Sequence, residues 1–184
     1  MGSTVRLALP RDAEAIRAIH NHYVEQSTIM FDMVARTAEA QLVWLEAHVG
    51  GYAAVVCEDE TGTVVGFGSL SKYRQRSAYN VTVEDSVYVA PGRTGAGTGR
   101  LLLAELVELA RAHGFHSIIA RITGDNEPSV RLHNWAGFDL VGREREVGRK
   151  HRHWLDVVVM QRMLNDAATG PVEGPPGRDA DPGT

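Results

Sequence analysis

Three glycines at alternate positions, Gly95, Gly97 and Gly99, separate a β-like segment from a leucine-rich helix over residues 101–113. Glycine at every second position leaves much of the loop backbone uncovered by side chains. The helix behind it presents unpaired N–H groups and the positive end of its dipole, both of which favour a diphosphate. Glu84 lies eleven residues before the first of these glycines, on the segment that leads into the loop. A phosphate cradle beside a carboxylate indicates a nucleotide-like cofactor next to a proton acceptor.

The spacing of these glycines differs from that of other phosphate-binding loops. A dinucleotide-binding Gly-x-Gly-x-x-Gly loop counted from Gly95 would need glycine where Arg100 stands, and no acidic residue follows about twenty positions later. A Walker loop ends in Gly-Lys-Ser/Thr, whereas this chain reads Gly99-Arg100-Leu101. A protein-kinase loop leads into a strand, whereas a helix follows here. On the loop alone, a plain strand-to-helix turn also stays open.

The composition is that of one globular domain with a core, since 43% of the 184 residues are hydrophobic and 23% are charged. A net charge of −4 indicates neither nucleic-acid binding nor a membrane surface. The sequence shows no apolar run near the ~20 residues of a membrane span and no signal-peptide core at its N-terminus. The single cysteine, Cys57, cannot form an internal disulfide, so we expect a cytoplasmic protein. Eight histidines without ligand spacing predict no metal.

Hydrophobic periodicity and turn residues predict the order β-α-α-β-β-β-α-β-α-β-β. The expected strands span residues 4–9, 52–58, 64–73, 79–90, 115–123, 138–147 and 154–163. The expected helices begin at Pro10, near Thr37, at Leu101 and at Pro128. In the second helix, Leu42, Leu45 and Val49 are expected to face the core. Residues 165–184 hold four of the seven prolines and almost no bulky apolar residue, which predicts a disordered tail after a single domain over 1–164.

A second motif runs from Asn126 to Phe138 and reads Asn-Glu-Pro-Ser-Val-Arg-Leu-His-Asn-Trp-Ala-Gly-Phe. Together with Thr94-Gly95-Ala96-Gly97-Thr98-Gly99, it makes residues 4–164 resemble the GNAT acetyltransferase superfamily. The motifs of that superfamily are Gln/Arg-x-x-Gly-x-Gly/Ala and Asn-x-x-Ser-x-x-Leu-Tyr-x-x-x-Gly-Phe. The details are similar to the phosphinothricin and methionine sulfoximine N-acetyltransferases in three places: the 82–89 segment, His133 where many relatives have tyrosine, and the closing segments 148–150 and 154–156.

The resemblance implies a mixed α/β fold with a mostly antiparallel sheet flanked by helices. Its two central parallel strands, 79–90 and 115–123, would splay apart to admit the cofactor. It implies acetyl-CoA as co-substrate and direct transfer in a ternary complex to the α-amine of a small amino acid or analogue. Methionine sulfoximine, methionine sulfone and phosphinothricin are the acceptors of this type. Members of the family often form homodimers, for which the last two strands are available.

Carried onto this chain, the family motifs imply a set of residues that hold acetyl-CoA. Backbone N–H groups of the loop would bind the pyrophosphate at the helix N-terminus, from Gly95, Ala96, Gly97, Thr98, Gly99 and Arg100. The pantetheine arm would pair like an added strand with Val87, Tyr88 and Val89, and Asn126 would hydrogen-bond it. Thr94 stands where the family usually has arginine or glutamine, which bears on cofactor affinity more than on cofactor identity.

The catalytic residues implied are Glu84, as general base for the acceptor ammonium, and His133, near the sulfur as an acid or hydrogen-bond donor to the leaving thiolate. From the residues alone, Glu84 could equally be a solvent-facing strand residue and His133 a packing residue. Asp85 belongs to the same segment, although adjacent strand side chains point to opposite faces, so both carboxylates should not act on one amine.

The substrate-binding residues are expected around the same strand. A guanidinium clamp from Arg74 and Arg76, with Gln75 between them, would suit the carboxylate of a free amino acid. A solvated basic loop is the alternative for that run. The remaining candidates for the acceptor pocket are Phe31, Asp32, Glu84, Asp85 and Ser86, with Lys150 and Trp154 approaching it from the last hairpin.

Two other functions stay open on the sequence. A protein or peptide N-acetyltransferase would share the cofactor motifs and would need an open groove for an extended chain. A non-catalytic acyl-CoA-binding regulator would keep the glycine loop without a base, and the presence of Glu84 and His133 argues against it.

Overall fold

A computed structural model describes residues 2–164, and the tail expected over 165–184 lies outside the described residues. The strands are β1 (Thr4–Leu7), β2 (Ala54–Glu58), β3 (Val64–Lys72), β4 (Thr82–Val89), β5 (Ser117–Thr123), β6 (Asp139–Lys150) and β7 (His153–Met163). The α-helices are α1 (Ala13–Gln26), α2 (Ala38–Ala47), α3 (Thr98–Ala112) and α4 (Glu127–Trp135). The predicted order of elements is therefore observed. None of the described helices is long and apolar enough to cross a membrane.

The strands form one seven-stranded sheet in the order β1-β2-β3-β4-β5-β7-β6. All neighbours are antiparallel except β4 and β5, which run parallel. Helices cover both faces of the central strands, and alternate residues of β2 enter two different cores. Val55 and Cys57 pack with α3 and α4 on one face, whereas Ala54 and Val56 pack with α1 and α2 on the other.

Helix α3 lies close against β3 because two glycines of that strand leave room for it. A Cβ at Gly66 would come within 2.9 Å of the Thr98 methyl group, and a Cβ at Gly68 within 2.9 Å of Leu106 Cδ1. The helix fills this space with a fully buried stripe, which includes Leu102, Leu103, Leu106 and Ala110. This packing fixes the start of α3, and with it the glycine loop, relative to the central strands.

The two parallel strands pair over only half of their length. The ladder runs from Thr82 opposite Ser117 to Asp85 opposite Ala120 and then ends, although β4 continues to Val89. Beyond Asp85 the strands diverge, and the β5-facing backbone of β4 lies outside the ladder. The sheet therefore has the V-shaped opening that the resemblance implied.

Helix α2 departs from the predicted burial. Its N-cap is Thr37, whose side chain accepts a hydrogen bond from the Ala40 N–H. Leu45 is buried as expected, but Leu42 and Val49 are 44% and 65% exposed. The expectation that Leu42 and Val49 face the core is wrong. A buried polar residue, Gln41, takes the inner position next to Leu42 and accepts a hydrogen bond from Arg36. Val49 lies beyond the helix, which ends at Ala47.

Strand β6 carries an irregularity in its pairing with β7. Its pairing with β7 shifts between Glu144, opposite Val157, and Gly148, opposite Leu155. Within that stretch Glu146 adopts a positive φ of 54°, and its N–H donates to Asp156 Oδ1 at 2.9 Å. A bulge of this kind re-aims the side chains on either side of it.

Candidate active site

A cavity of about 360 Å³, the acceptor pocket, opens on the face of the sheet that carries α1 and α2. Its floor is built from alternate residues of neighbouring strands: Phe67, Ser69 and Ser71 of β3, and Glu84, Ser86 and Tyr88 of β4. Because alternate strand residues share a face, Glu84 and Ser86 line this pocket while Asp85 between them does not. Phe31 lines the wall.

Glu84 is the carboxylate of the floor, partly buried opposite Ser71 of β3. Desolvation raises the pKa of Glu84 above its ordinary value, and the neighbouring Asp85 charge adds to this, while the cations of Arg121 and Arg74 act against it. A carboxylate with a raised pKa is a stronger base than a solvated one. The pocket therefore contains a group suited to take a proton from an amine.

The wall of the acceptor pocket is the loop between α1 and α2, and polar contacts hold it in place. His20, fully buried on α1, places Nε2 2.8 Å from Asp32 Oδ2. Arg36 stacks its guanidinium over Trp44, 4.8 Å from the ring centroid. From the far end of β6, the buried Lys150 donates from Nζ to the Met30 carbonyl at 2.8 Å. The wall thus depends on both ends of the described chain.

Phe31 contacts β6 at a glycine, which gives a prediction for Gly148→Ala. A Cβ at Gly148 would overlap Cε1 of the Phe31 ring and lie 2.8 Å from its Cζ. The half-exposed ring must swing away, so we expect the KM for the acceptor to rise about fivefold and stability to fall by about 1 kcal/mol. Steady-state kinetics measure the first effect and urea unfolding the second. Gly142→Ala on the same strand is the matched control, because a Cβ there meets nothing within 4 Å; equal KM values for the two variants would contradict the prediction.

A second cavity, the cofactor cleft of about 650 Å³, lies where β4 and β5 diverge. It is lined by Val87, Tyr88 and Val89 of β4, by Gly95, Gly97, Gly99 and Arg100 of the loop, and by Asn126 before α4. Gly97 is the N-cap of α3 with φ of +86°, a conformation natural to glycine, and it has no side chain to occupy the first-turn N–H groups. The cleft therefore meets the chemical requirement of a diphosphate followed by an amide chain.

The other residues expected at the cofactor differ in position. Thr98 is buried beneath the loop with its methyl group toward Gly66, so only its backbone is available. Ala96 is exposed between two glycines that line the cleft. Asn126 caps α4 by accepting a hydrogen bond from the Ser129 N–H at 3.3 Å while it lines the cleft.

A small junction joins the two cavities at the point of the splay. It shares Ser86, Tyr88 and Arg121 with the acceptor pocket and Val87 and Asn126 with the cofactor cleft. A group carried along β4 from the cleft therefore arrives beside the pocket that holds Glu84.

His133 lies at the inner side of this junction as half of a buried ion pair. Its Nε2 is 3.0 Å from Asp85 Oδ2, and its Nδ1 is 2.7 Å from the Ser129 carbonyl. Burial acts to lower the pKa of His133, but the Asp85 carboxylate and the Ser129 carbonyl outweigh it, so the pKa is raised. Both ring nitrogens are occupied, so donation to a leaving thiolate requires one of these bonds to break. Asp85 faces His133 and not the acceptor pocket.

The proposed guanidinium clamp lies apart from the acceptor pocket. Arg74, Gln75 and Arg76 line a separate surface recess with Tyr79. The guanidinium of Arg74 lies over Tyr73 and Tyr79, at 5.0 and 5.7 Å from their ring centroids. Its charge nevertheless acts on Glu84.

Two arginines that line the acceptor pocket were missed by sequence reasoning. Arg36 lies in the same loop as Phe31, between α1 and α2, and Arg121 projects from β5. A signal for Arg121 was present, because it is the one charge within the apolar run Ile118-Ile119-Ala120-Arg121-Ile122. A charge at such a position needs a partner or a function.

Comparison with known proteins places this geometry in a family. Residues 5–159 match the acetyltransferase (GNAT) domain. The chain is 40% identical to a phosphinothricin N-acetyltransferase of Streptomyces coelicolor, over 87% of this chain and 95% of that protein. It is 37% identical to an L-methionine sulfoximine/L-methionine sulfone acetyltransferase of Salmonella typhimurium, over 90% and 96% of the two chains. A GNAT superfamily phosphinothricin acetyltransferase of Sinorhizobium meliloti, solved with acetyl-CoA, superposes with a TM-score of 0.89 at 37% identity, covering 95% of each chain.

The chain belongs to the GNAT acetyltransferase family, and the protein is an acetyl-CoA-dependent acyltransferase. The predicted family, the mixed α/β fold and acetyl-CoA as co-substrate are thereby confirmed. Among residues 2–164, no cluster of three or more His, Cys, Asp or Glu side chains could hold a metal ion.

Proposed function

We propose that this protein transfers the acetyl group of acetyl-CoA to the α-amine of a small amino acid or analogue, of the methionine sulfoximine, methionine sulfone or phosphinothricin type. The observation that carries the proposal is the junction at Ser86 and Tyr88, where the cofactor cleft meets a pocket with a carboxylate of raised pKa. The names of the relatives support the choice of acceptor.

The cofactor cleft gives each part of acetyl-CoA a partner. The loop at Gly95–Arg100 presents backbone N–H groups to the pyrophosphate, and the start of α3 adds its positive dipole end. The backbone of Val87–Val89, which lies outside the β4–β5 ladder, is available to the amide-containing arm, and Asn126 faces the same space. Acetyl-CoA supplies the acetyl group as a thioester, which the arm delivers to the junction.

On the acceptor side, Glu84 removes the proton that keeps the amine unreactive. An aliphatic ammonium is mostly protonated near pH 7, so a base must act before the nitrogen can attack. Glu84 takes this proton directly or through one water, and Ser86 lines the same face of the pocket. The free amine then attacks the thioester carbonyl, the carbon–sulfur bond breaks, and the thiolate of coenzyme A leaves and takes up the second proton that the nitrogen loses. The loop at 27–37 forms one wall of the pocket through Phe31, Asp32 and Arg36.

We propose that the 74–76 segment acts on the acceptor carboxylate through its charge. Arg74 lines a recess apart from the acceptor pocket, but its charge acts on Glu84 and so reaches an α-carboxylate held next to the α-amine. The pocket wall at Phe31, anchored through Lys150, limits the length of the acceptor. A wall of this kind suits a free amino acid better than an extended peptide.

A panel of amines tests the proposal. Thiol release from acetyl-CoA is measured with methionine sulfoximine, methionine sulfone, phosphinothricin, natural amino acids, polyamines and short peptides. We expect turnover with the first three and little with peptides. Turnover with peptides alone would make the protein a peptide N-acetyltransferase, and binding of acetyl-CoA without any turnover would make it a regulator. Either result would overturn the proposal.

A further inference from the structure

Arg121 is a cation at the meeting point of the two cavities. It lies on β5 two residues after Ile119, which pairs with Glu84, and it therefore shares the face of the sheet that Glu84 occupies. Arg121 lines both the acceptor pocket and the junction. An acceptor whose amine lies at Glu84 has its remaining groups within reach of this guanidinium.

The partner of Arg121 is not a pocket residue. Its two terminal nitrogens contact the two carboxylate oxygens of Glu144 on β6, at 3.1 and 2.5 Å. This is the paired geometry by which a guanidinium binds a carboxylate. The side chains of Arg121 and Glu144 are 31% and 39% exposed, so Glu144 can turn into solvent at small cost. Glu144 thus shows what kind of group Arg121 can bind.

The other charged side chains of the acceptor pocket have partners or roles within the pocket. Asp32 is held by the buried His20 and faces Arg36 at 3.9 Å. Glu84 is reserved for the acceptor amine. Among the described residues that line the pocket, Arg121 is therefore the cation whose partner comes from outside and is partly solvated.

We propose that Arg121 is an anion subsite of the acceptor pocket and Glu144 its exchangeable counter-ion, so that the enzyme favours amino acids whose side chain ends in an anionic group. This inference rests on the proposed function and names its substrate class more closely. Phosphinates and side-chain carboxylates belong to the class, whereas a sulfone of similar length is neutral. The anionic group takes the place of the Glu144 carboxylate on Arg121, while the amine stays at Glu84.

Substitutions of Arg121 and of Glu144 should change the preference for anionic acceptors in opposite directions, and the test measures that preference. The readout is the ratio of kcat/KM for phosphinothricin to kcat/KM for methionine sulfone, with glutamate and glutamine as a second pair. Arg121→Gln should lower this ratio about tenfold, because a charge-assisted hydrogen-bonded pair with the substrate is lost. Glu144→Gln should raise the ratio about threefold, because the competing carboxylate is gone. Arg121→Lys, which keeps the charge but not the planar fork, should give an intermediate ratio.

An ion pair that serves only stability would behave in another way. Both variants would then lose stability together and leave the ratio unchanged, and that result would overturn the inference. The exposed pair Arg111 and Glu108 on α3, at 2.8 Å, supplies matched controls, since Arg111→Gln and Glu108→Gln should not alter the ratio. If the wild-type enzyme acetylates both acceptors and the ratio does not change in the Arg121 and Glu144 variants, the anion subsite alone is refuted. Wild-type enzyme that acetylates no amino acid would refute the proposed function and the subsite with it.

Discussion

Replacing Glu84 by glutamine is expected to lower the kcat of acetyl transfer by about 10²- to 10⁴-fold, the usual contribution of a positioned general base. Glutamine keeps the size of the side chain and removes its ability to accept a proton, so substrate binding should change far less than turnover. Burial holds the pKa of Glu84 above its ordinary value. Only enzyme whose Glu84 is deprotonated can accept the proton of the amine. We therefore expect wild-type kcat to rise with pH through a pKa above that of a solvated glutamate, and this acidic limb to vanish in Glu84→Gln.

The measurement is a pH profile of kcat between pH 5 and 9 for both proteins, with acetyl-CoA affinity determined separately. Glu14→Gln is the matched control, because Glu14 lies on the outer surface of α1 and pairs with Arg17 at 2.7 Å. It should retain the wild-type profile. Full turnover of Glu84→Gln across pH 6–9 would show that another group takes the proton.

Breaking the Asp85–His133 pair is expected to have the largest effect on stability. Both side chains are almost fully buried, at 1% and 5% exposure, and they join β4 to α4 across the narrow end of the splay. Asp85→Asn removes the charge but not the volume, and it should lower the free energy of unfolding by about 3 kcal/mol at pH 6. The second oxygen, Asp85 Oδ1, is buried without a hydrogen-bond partner among residues 2–164, so the new amide group would also be left unsatisfied.

The pH dependence of this loss has a definite sign. The folded-state pKa of His133 is raised above the unfolded value, so its stabilising contribution is complete below the unfolded pKa and disappears as pH rises through the folded one. The difference in unfolding free energy between wild type and Asp85→Asn should therefore be largest near pH 6 and shrink toward pH 9. Urea unfolding at several pH values measures it. Asp139→Asn, at an exposed position at the start of β6, is the control, and a pH-independent difference would contradict the pairing.

The residues that line the cofactor cleft could largely be brought together from the sequence, because most of them are close along the chain. The strand, the glycine loop and the helix follow one another along the chain, so the motif and the geometry coincide at Gly95, Gly97 and Gly99. Asn126 likewise sits at the start of its own helix. The splay of the two parallel strands was expected from the resemblance to the family, and the β4–β5 ladder ends at Asp85.

The residues of the acceptor pocket could not be predicted in the same way, since the order of the strands in the sheet decides which of them meet. Arg121 meets Glu144 only because β7 lies between β5 and β6, an arrangement with no trace in the local sequence. Gln41 is buried in place of Leu42 because Arg36, in the loop before α2, donates a hydrogen bond to its Oε1. The basic run at 74–76 was readable as a charge cluster, but its separate recess was not.

The acceptor pocket and the cofactor cleft are built from different parts of the chain. The cofactor cleft is drawn mostly from residues 87–132, a continuous part of the chain. The acceptor pocket adds residues 20–44 from the beginning, and Lys150 and Gly148 secure that wall from the last hairpin. During synthesis the central part can be complete before the segment that fastens the wall has emerged. The outer segments can likewise be substituted to alter the acceptor pocket while the central segment that forms the cofactor cleft stays unchanged.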